Sequence, residues 1–193
     1  MKDGRGIVEA TLLPRAREIG DGQVVVPAFR VASLGRLARS DGEGALELVR
    51  ELDELLRGRP GPRSWLLDGA SRVCLATGSV DLLRSLIDQG VEYLTRDRNS
   101  MASARAALAE LEGDHVSAVD RYQDAAARWE EFPSVLEHGL ALMGAGRCLL
   151  DLGRQNEAAG RLRAARERFG ALEAAPLVAE VDDLLALATS KTS

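Results

Sequence analysis

Four stretches of the chain repeat one arrangement of apolar and small positions, at i, i+4, i+7 and i+11, each entered through a small residue five positions earlier. They run Ser40 then Ala45, Val49, Leu52 and Leu56; Gly78 then Leu83, Ile87, Gly90 and Leu94; Gly113 then Ala118, Tyr122, Ala125 and Trp129; and Gly153 then Ala158, Leu162, Ala165 and Phe169. Positions so spaced share one face of an α-helix, so each stretch predicts an amphipathic helix with a buried stripe. The anchors recur every 35 to 40 residues, which leaves room for one helical hairpin per repeat. A period of that size predicts stacked helix pairs.

Each anchored stretch is then the second, or B, helix of a hairpin, and the stretch before its turn is the A helix. The A helices are expected near 23–39, 63–76, 98–111 and 134–151, and the B helices near 43–57, 79–95, 114–131 and 155–170. Gly78, Gly113 and Gly153 can take the left-handed conformation that closes an A helix at little steric cost, and Ser79, Asp114 and Gln155 begin the helix that follows. Pro60-Gly61-Pro62, Pro133 and Pro176 fall between repeats, where proline fits a first helical turn but not an interior. The stretch Pro176 to Leu187, with Leu177, Val181, Leu184 and Leu185 among acids, reads as a capping helix over the last apolar face.

The expected organisation is a single domain over 1–193, with a partial repeat at 1–20, repeats at 22–59, 62–96, 98–132 and 133–172, and a cap at 175–189. At the N-terminus, Glu9, Leu13 and Ala16 continue the register and Gly4 matches the turn, so a B helix near 7–19 appears without its A helix. Pro14 should kink that helix or shift its start. An unpaired helix carrying Leu12, Leu13 and Ile19 would leave apolar surface open to self-association, and points to a fragment of a longer array or a shortened protein.

Composition narrows the class. Hydrophobic residues make up 46% and charged residues 28%, as in a soluble globular chain, and with aromatics at only 4% the Ala- and Leu-rich apolar set favours close-packed helices over strands. A net charge of -5 gives no basic field for nucleic acid or an anionic membrane, and neither is expected as a partner. No secretory leader pattern opens the chain and no apolar run approaches the roughly 18 residues of a membrane span, so a cytoplasmic location is expected.

The search for chemistry finds little. There is no GxxxxGK[ST] loop, and Gly144, Gly146 and Gly153 sit at packing and turn positions. His115 and His138 belong to no HExxH or triad order and read as solvated. Cys74 and Cys148 lack metal-ligand spacing and read as small buried hydrophobes. Carboxylates such as Glu47, Glu51, Asp53 and Glu54 alternate with Arg50 and Arg57 in the manner of a salt-bridged wet face. No catalytic site, metal or cofactor is expected, so the chain reads as non-enzymatic.

The layout resembles tetratricopeptide repeats, which place a small residue in helix A, an Ala early in helix B, a large apolar residue four further on and a small one seven further on. Gly146, Gly153, Ala158, Leu162 and Ala165 match in the last full repeat, and Ala106, Gly113, Ala118, Tyr122 and Ala125 in the one before. The first two repeats are degenerate: Ser40 stands for the turn Gly and Leu83 for the Ala, while Arg105 occupies a normally apolar position. Stretches such as Leu149 to Arg154 and Leu12 to Glu18 also look like the C-terminal repeat regions of actinobacterial nucleotide cyclases and ATP-dependent transcription regulators.

The resemblance implies an all-α, right-handed solenoid of about ten helices whose A helices line a concave face. On that face it places Arg30, Asp68, Arg72, Met143 and Arg147, near Leu34, Leu37 and Leu75. Arginines beside leucines would grip an acidic or C-terminal peptide by bidentate hydrogen bonds. The Lys and Asn positions of the family's chaperone-tail clamps are not reproduced, since Leu34, Arg72, Ala107 and Arg147 stand there. The function implied is a non-catalytic scaffold for a peptide or partner helix. The alternative is the sensory repeat region of a larger signalling protein.

Overall fold

The structure, a computed structural model, describes Val8 to Ser190. These residues are all-α: a π-helical turn, Val8–Leu12, leads into ten α-helices, and no strand occurs among the described residues. The helices are α1 (Leu13–Ile19), α2 (Gly22–Leu37), α3 (Gly42–Leu55), α4 (Pro60–Thr77), α5 (Val80–Asp88), α6 (Thr95–Leu111), α7 (His115–Glu131), α8 (Val135–Asp151), α9 (Gln155–Ala171) and α10 (Ala175–Ser190). The even-numbered helices from α2 to α8 are the expected A helices, and the odd-numbered ones from α3 to α9 the expected B helices.

The chain divides into two compact units, one ending at Ala104 and the other beginning at Arg105, with the division falling inside α6. In the first unit α3 packs on both α2 and α4, and α2 also meets α4. In the second, α8 lies against both α7 and α9, and α10 against α9 and α8. Helices α3 and α9 therefore each touch the helix before and the helix after, which is how a repeat buries a stripe that it cannot cover alone.

The buried stripes are those that the periodicity marks. Ala45, Leu56, Ala118, Ala125, Ala158, Leu162, Ala165 and Phe169 are all fully buried, and Trp129 is 1% exposed. Small residues let the helices approach. On α8 a Cβ at Gly144 would lie 2.5 Å from the Tyr122 ring, and one at Gly146 would lie 2.6 Å from the Leu162 side chain.

The turns follow the same logic, with one surprise. Gly78, Gly113 and Gly153 take φ of 67°, 80° and 72°, but the equivalent turn at Ser40 holds a non-glycine residue at φ 62°, and Glu173, between α9 and α10, stands at φ 52°. The left-handed turn is thus kept even where the sequence lacks the residue that adopts it most easily. Caps are uneven. Asp114 accepts the Ser117 amide at 3.1 Å and Asp41 the Gly44 amide at 2.9 Å, whereas Ser79 makes no side-chain cap and Gln155 lies inside α9.

Three boundaries depart from the periodicity. Helix α5 ends at Asp88 rather than near 95, so Leu94, placed by its spacing in the core, is 59% exposed. The reason is local: Gly90 disfavours helix, a Cβ there would lie 2.4 Å from Met101 Cε, and the Asp97 carboxylate takes the Leu94 amide. Helix α4 begins at Pro60, three residues early, because proline fits the first turn. At the N-terminus, Pro14 sits in the first turn of α1 and the preceding turn is π-helical, so the proline sets where α-helix begins.

Helix α1 packs against α2 through Leu13 and Ala16, which are 2% and 1% exposed, while Leu12 and Ile19 remain open. Leu13 is therefore covered, contrary to the expectation of an open face that included it. Arg17 ties α1 to the first hairpin: Nε and Nη2 donate to the two Glu51 carboxylate oxygens at 2.6 and 2.8 Å, and the guanidinium lies 5.4 Å from the Phe29 ring centroid. The expected turn residue Gly4 lies outside the described residues.

Candidate functional site

The candidate residues fall into two clusters, one in each unit. In the first, Asp68 projects from α4 with its side chain 1% exposed, and its Oδ2 accepts a hydrogen bond from Arg96 Nη2 at 2.8 Å. Arg30 Nη1, from α2, lies 3.6 Å from the same oxygen. Gly69 makes this approach possible, since a Cβ there would stand 3.0 Å from Arg30 Cγ. One carboxylate thus joins three successive A helices. Its Oδ1 is buried without a hydrogen-bond partner.

Arg72 lies one turn along α4 from Asp68, half-buried, and interacts with its neighbours. Arg30 is 22% exposed at its side chain and Arg96 is 43% exposed, so two guanidiniums surround one nearly inaccessible acid. Arg30 and Asp68, both placed on one face by the repeat register, are here brought into contact.

The second cluster lies between α6, α7 and α8. Arg147 donates from Nε to Glu110 Oε1 at 2.8 Å and from Nη2 to Oε2 at 3.0 Å, while the Tyr122 hydroxyl donates to Oε2 at 2.5 Å. Burial works against the charged guanidinium, but the hydrogen bonds and charge of Glu110 hold the Arg147 pKa above that of a free arginine, and Glu180 adds to this. The same burial, followed by the Glu110 charge, pushes the Tyr122 pKa well above 10. Arg147 is committed to a neighbouring acid. Met143, expected on an open inner face, is 2% exposed and packs in the core.

Helix α8 also corrects the reading of the histidines. His138 is 8% exposed rather than solvated, because α8 packs between α7 and α9. Its pKa is lowered by burial first and then by the Arg168 charge. His115 is half-buried, with Nδ1 3.7 Å from Asp151 Oδ2. Cys74 and Cys148 are free and fully buried, as their helix positions predict. Burial pushes both thiols up to about 12.

Among the described residues no group of three or more His, Cys, Asp or Glu side chains is placed to hold a metal, and no helix is long and apolar enough to cross a membrane. Sequence reasoning passed over Arg96 and Glu110, the partners that give both clusters their form. Both lie on α6, the A helix for which the resemblance named only Ala107 at a clamp position. No family model, curated protein or solved structure matches the chain.

Proposed function

We propose that this chain is a non-catalytic scaffold of tetratricopeptide-like helical hairpins, which binds a peptide or helix of another protein along its A helices. The observation that carries this reading is the repetition of one hairpin unit. The left-handed turn between an A helix and its B helix recurs at Ser40, Gly78, Gly113 and Gly153, and α3 and α9 each pack against the helix before and the helix after. A solenoid of such hairpins leaves one side of its A helices available to a ligand. Arginines placed on that side, Arg30 and Arg72 among them, suit an acidic partner through bidentate hydrogen bonds.

Selection of a random dodecapeptide library displayed on phage against the full chain tests the reading. A scaffold of this kind yields peptides that bind saturably, at one site, without being turned over, and that lose affinity with Arg72→Glu. Failure to recover any saturable binder contradicts it.

A further inference from the structure

Three helix ends meet around His138 in the second unit. His138 is in the first turn of α8, which packs between α7 and α9, and it is 8% exposed. The approach to α9 is close at this level, since a Cβ on the next residue, Gly139, would lie 2.6 Å from Phe169 Cε1. Phe169 is preceded by Arg168, in the last turn of α9. Arg168 Nη2 in turn lies 3.6 Å from Glu130 Oε1, in the last turn of α7.

Each of these placements acts on a charge at His138. Burial removes the water that would solvate an imidazolium, and the Arg168 guanidinium repels one. The first turn of a helix disfavours positive charge and the last turn favours it, so the two helix ends suit a cation at Arg168 and a neutral ring at His138. Glu130 acts the other way, but Arg168 shares its carboxylate. Glu137 precedes His138 on α8, buried and engaged in an interaction of its own. On α10, Glu180 acts on Arg147 farther along α8, Asp182 is paired with Arg166, and Asp183 is exposed.

We propose that His138 is an acid-operated latch between α8 and α9: its neutral ring packs the junction at neutral pH, and its protonation loosens the junction. The latch belongs to the second unit and does not depend on what the chain binds. An imidazolium in the same place would set two cations in one buried corner. Because Gly139 and Phe169 are already in tight contact, the ring gains water only if α8 and α9 part at that level. Unfolded, the imidazole takes up its proton near 6.5; folded, it does so only at lower pH. Its contribution to stability is therefore fully present above 6.5 and is lost as pH falls below that value.

Proton NMR of the full chain between about pH 8 and 5 reads the ring directly, with His138→Gln fixing the assignment. The His138 midpoint should lie below 6.5 and rise toward it with Arg168→Gln. Acrylamide quenching of Trp129, buried beside Glu130 on α7, reads the packing in a Trp65→Phe background. Quenching should increase as pH falls from about 7.5 to 5.5, and His138→Gln should lose that increase. Where His138→Gln does not fold, Arg168→Gln takes its place and should blunt the acid response. A ring midpoint at or above 6.5, or an acid response equal in native and variant chains, would overturn the latch.

Discussion

Arg147 and Glu110 form a bidentate ion pair between α8 and α6, at 2.8 and 3.0 Å, with the carboxylate 11% exposed. An arginine at this register position could serve a ligand, but its fork is already filled by an acid of its own chain. Removing one partner leaves the other charge without its match. Glu110→Ala should therefore lower stability by about 3 kcal/mol, the low end for a buried pair because Arg147 keeps some solvent contact. Replacing both residues by Met should cost less than the single change. Urea denaturation checks both, and equal midpoints for native and Glu110→Ala chains would show that the pair contributes nothing. Reversing Arg147 to Glu would set two carboxylates together, and so would report on folding rather than on binding.

Gly144 tests the close approach of α8 to α7. An added Cβ would meet the Tyr122 ring at 2.5 Å, and the ring's hydroxyl is tethered to Glu110, which limits its retreat. Gly144→Ala should destabilise by about 1–3 kcal/mol despite the better helix propensity of alanine. Gly160 has open space at the same test, so Gly160→Ala should be neutral or stabilising. Thermal denaturation of the two variants side by side gives the comparison.

Ser40 offers the opposite sign. At φ 62° it holds a conformation that costs an L-residue roughly 1–2 kcal/mol and glycine almost nothing. Ser40→Gly should raise stability by about 0.5–1 kcal/mol, since the added freedom of the unfolded chain offsets part of the relief. Gly78→Ala, at φ 67° with no steric neighbour, should lose a similar amount. A denaturation midpoint lowered by Ser40→Gly would contradict the assignment of a strained turn.

These three sites also show how far the sequence could be read. Periodicity located the helices because the buried stripes at Ala45, Ala118 and Ala158 recur, and glycine marked three of the turns. It placed Leu94 wrongly because spacing alone does not register that Gly90 and Asp97 take the backbone out of the helix. The clusters were less legible. Whether Arg30 or Arg147 faces an acid depends on the rotation of neighbouring helices, and Asp68 and Glu110 lie 38 and 37 positions from them in the chain.

Stability should fall at alkaline pH. The thiols of Cys74 and Cys148, ordinarily near 9, are pushed up to about 12 by burial, and Tyr122 is raised above 10. Raised pKa values mean that the folded chain holds protons which the unfolded chain releases. Their contribution is fully present below about pH 9 and is lost progressively as pH rises toward 12. Cys74→Ala with Cys148→Ala should flatten the decline between those values, and Tyr122→Phe should flatten it above pH 10. Denaturation midpoints measured across that range check the slopes.

The central claim is that the chain holds an acidic peptide through fixed arginines on its A helices, and the salt dependence of binding tests it most directly. Partly exposed charges such as Arg96 are screened over a Debye length of about 8 Å at physiological ionic strength and about 3 Å at 1 M. Isothermal titration of a library-selected peptide into the full chain should show one saturable site whose affinity drops by roughly an order of magnitude between low salt and 1 M, with no change in helical signal. Affinity independent of salt, or heat without saturation, would contradict the account.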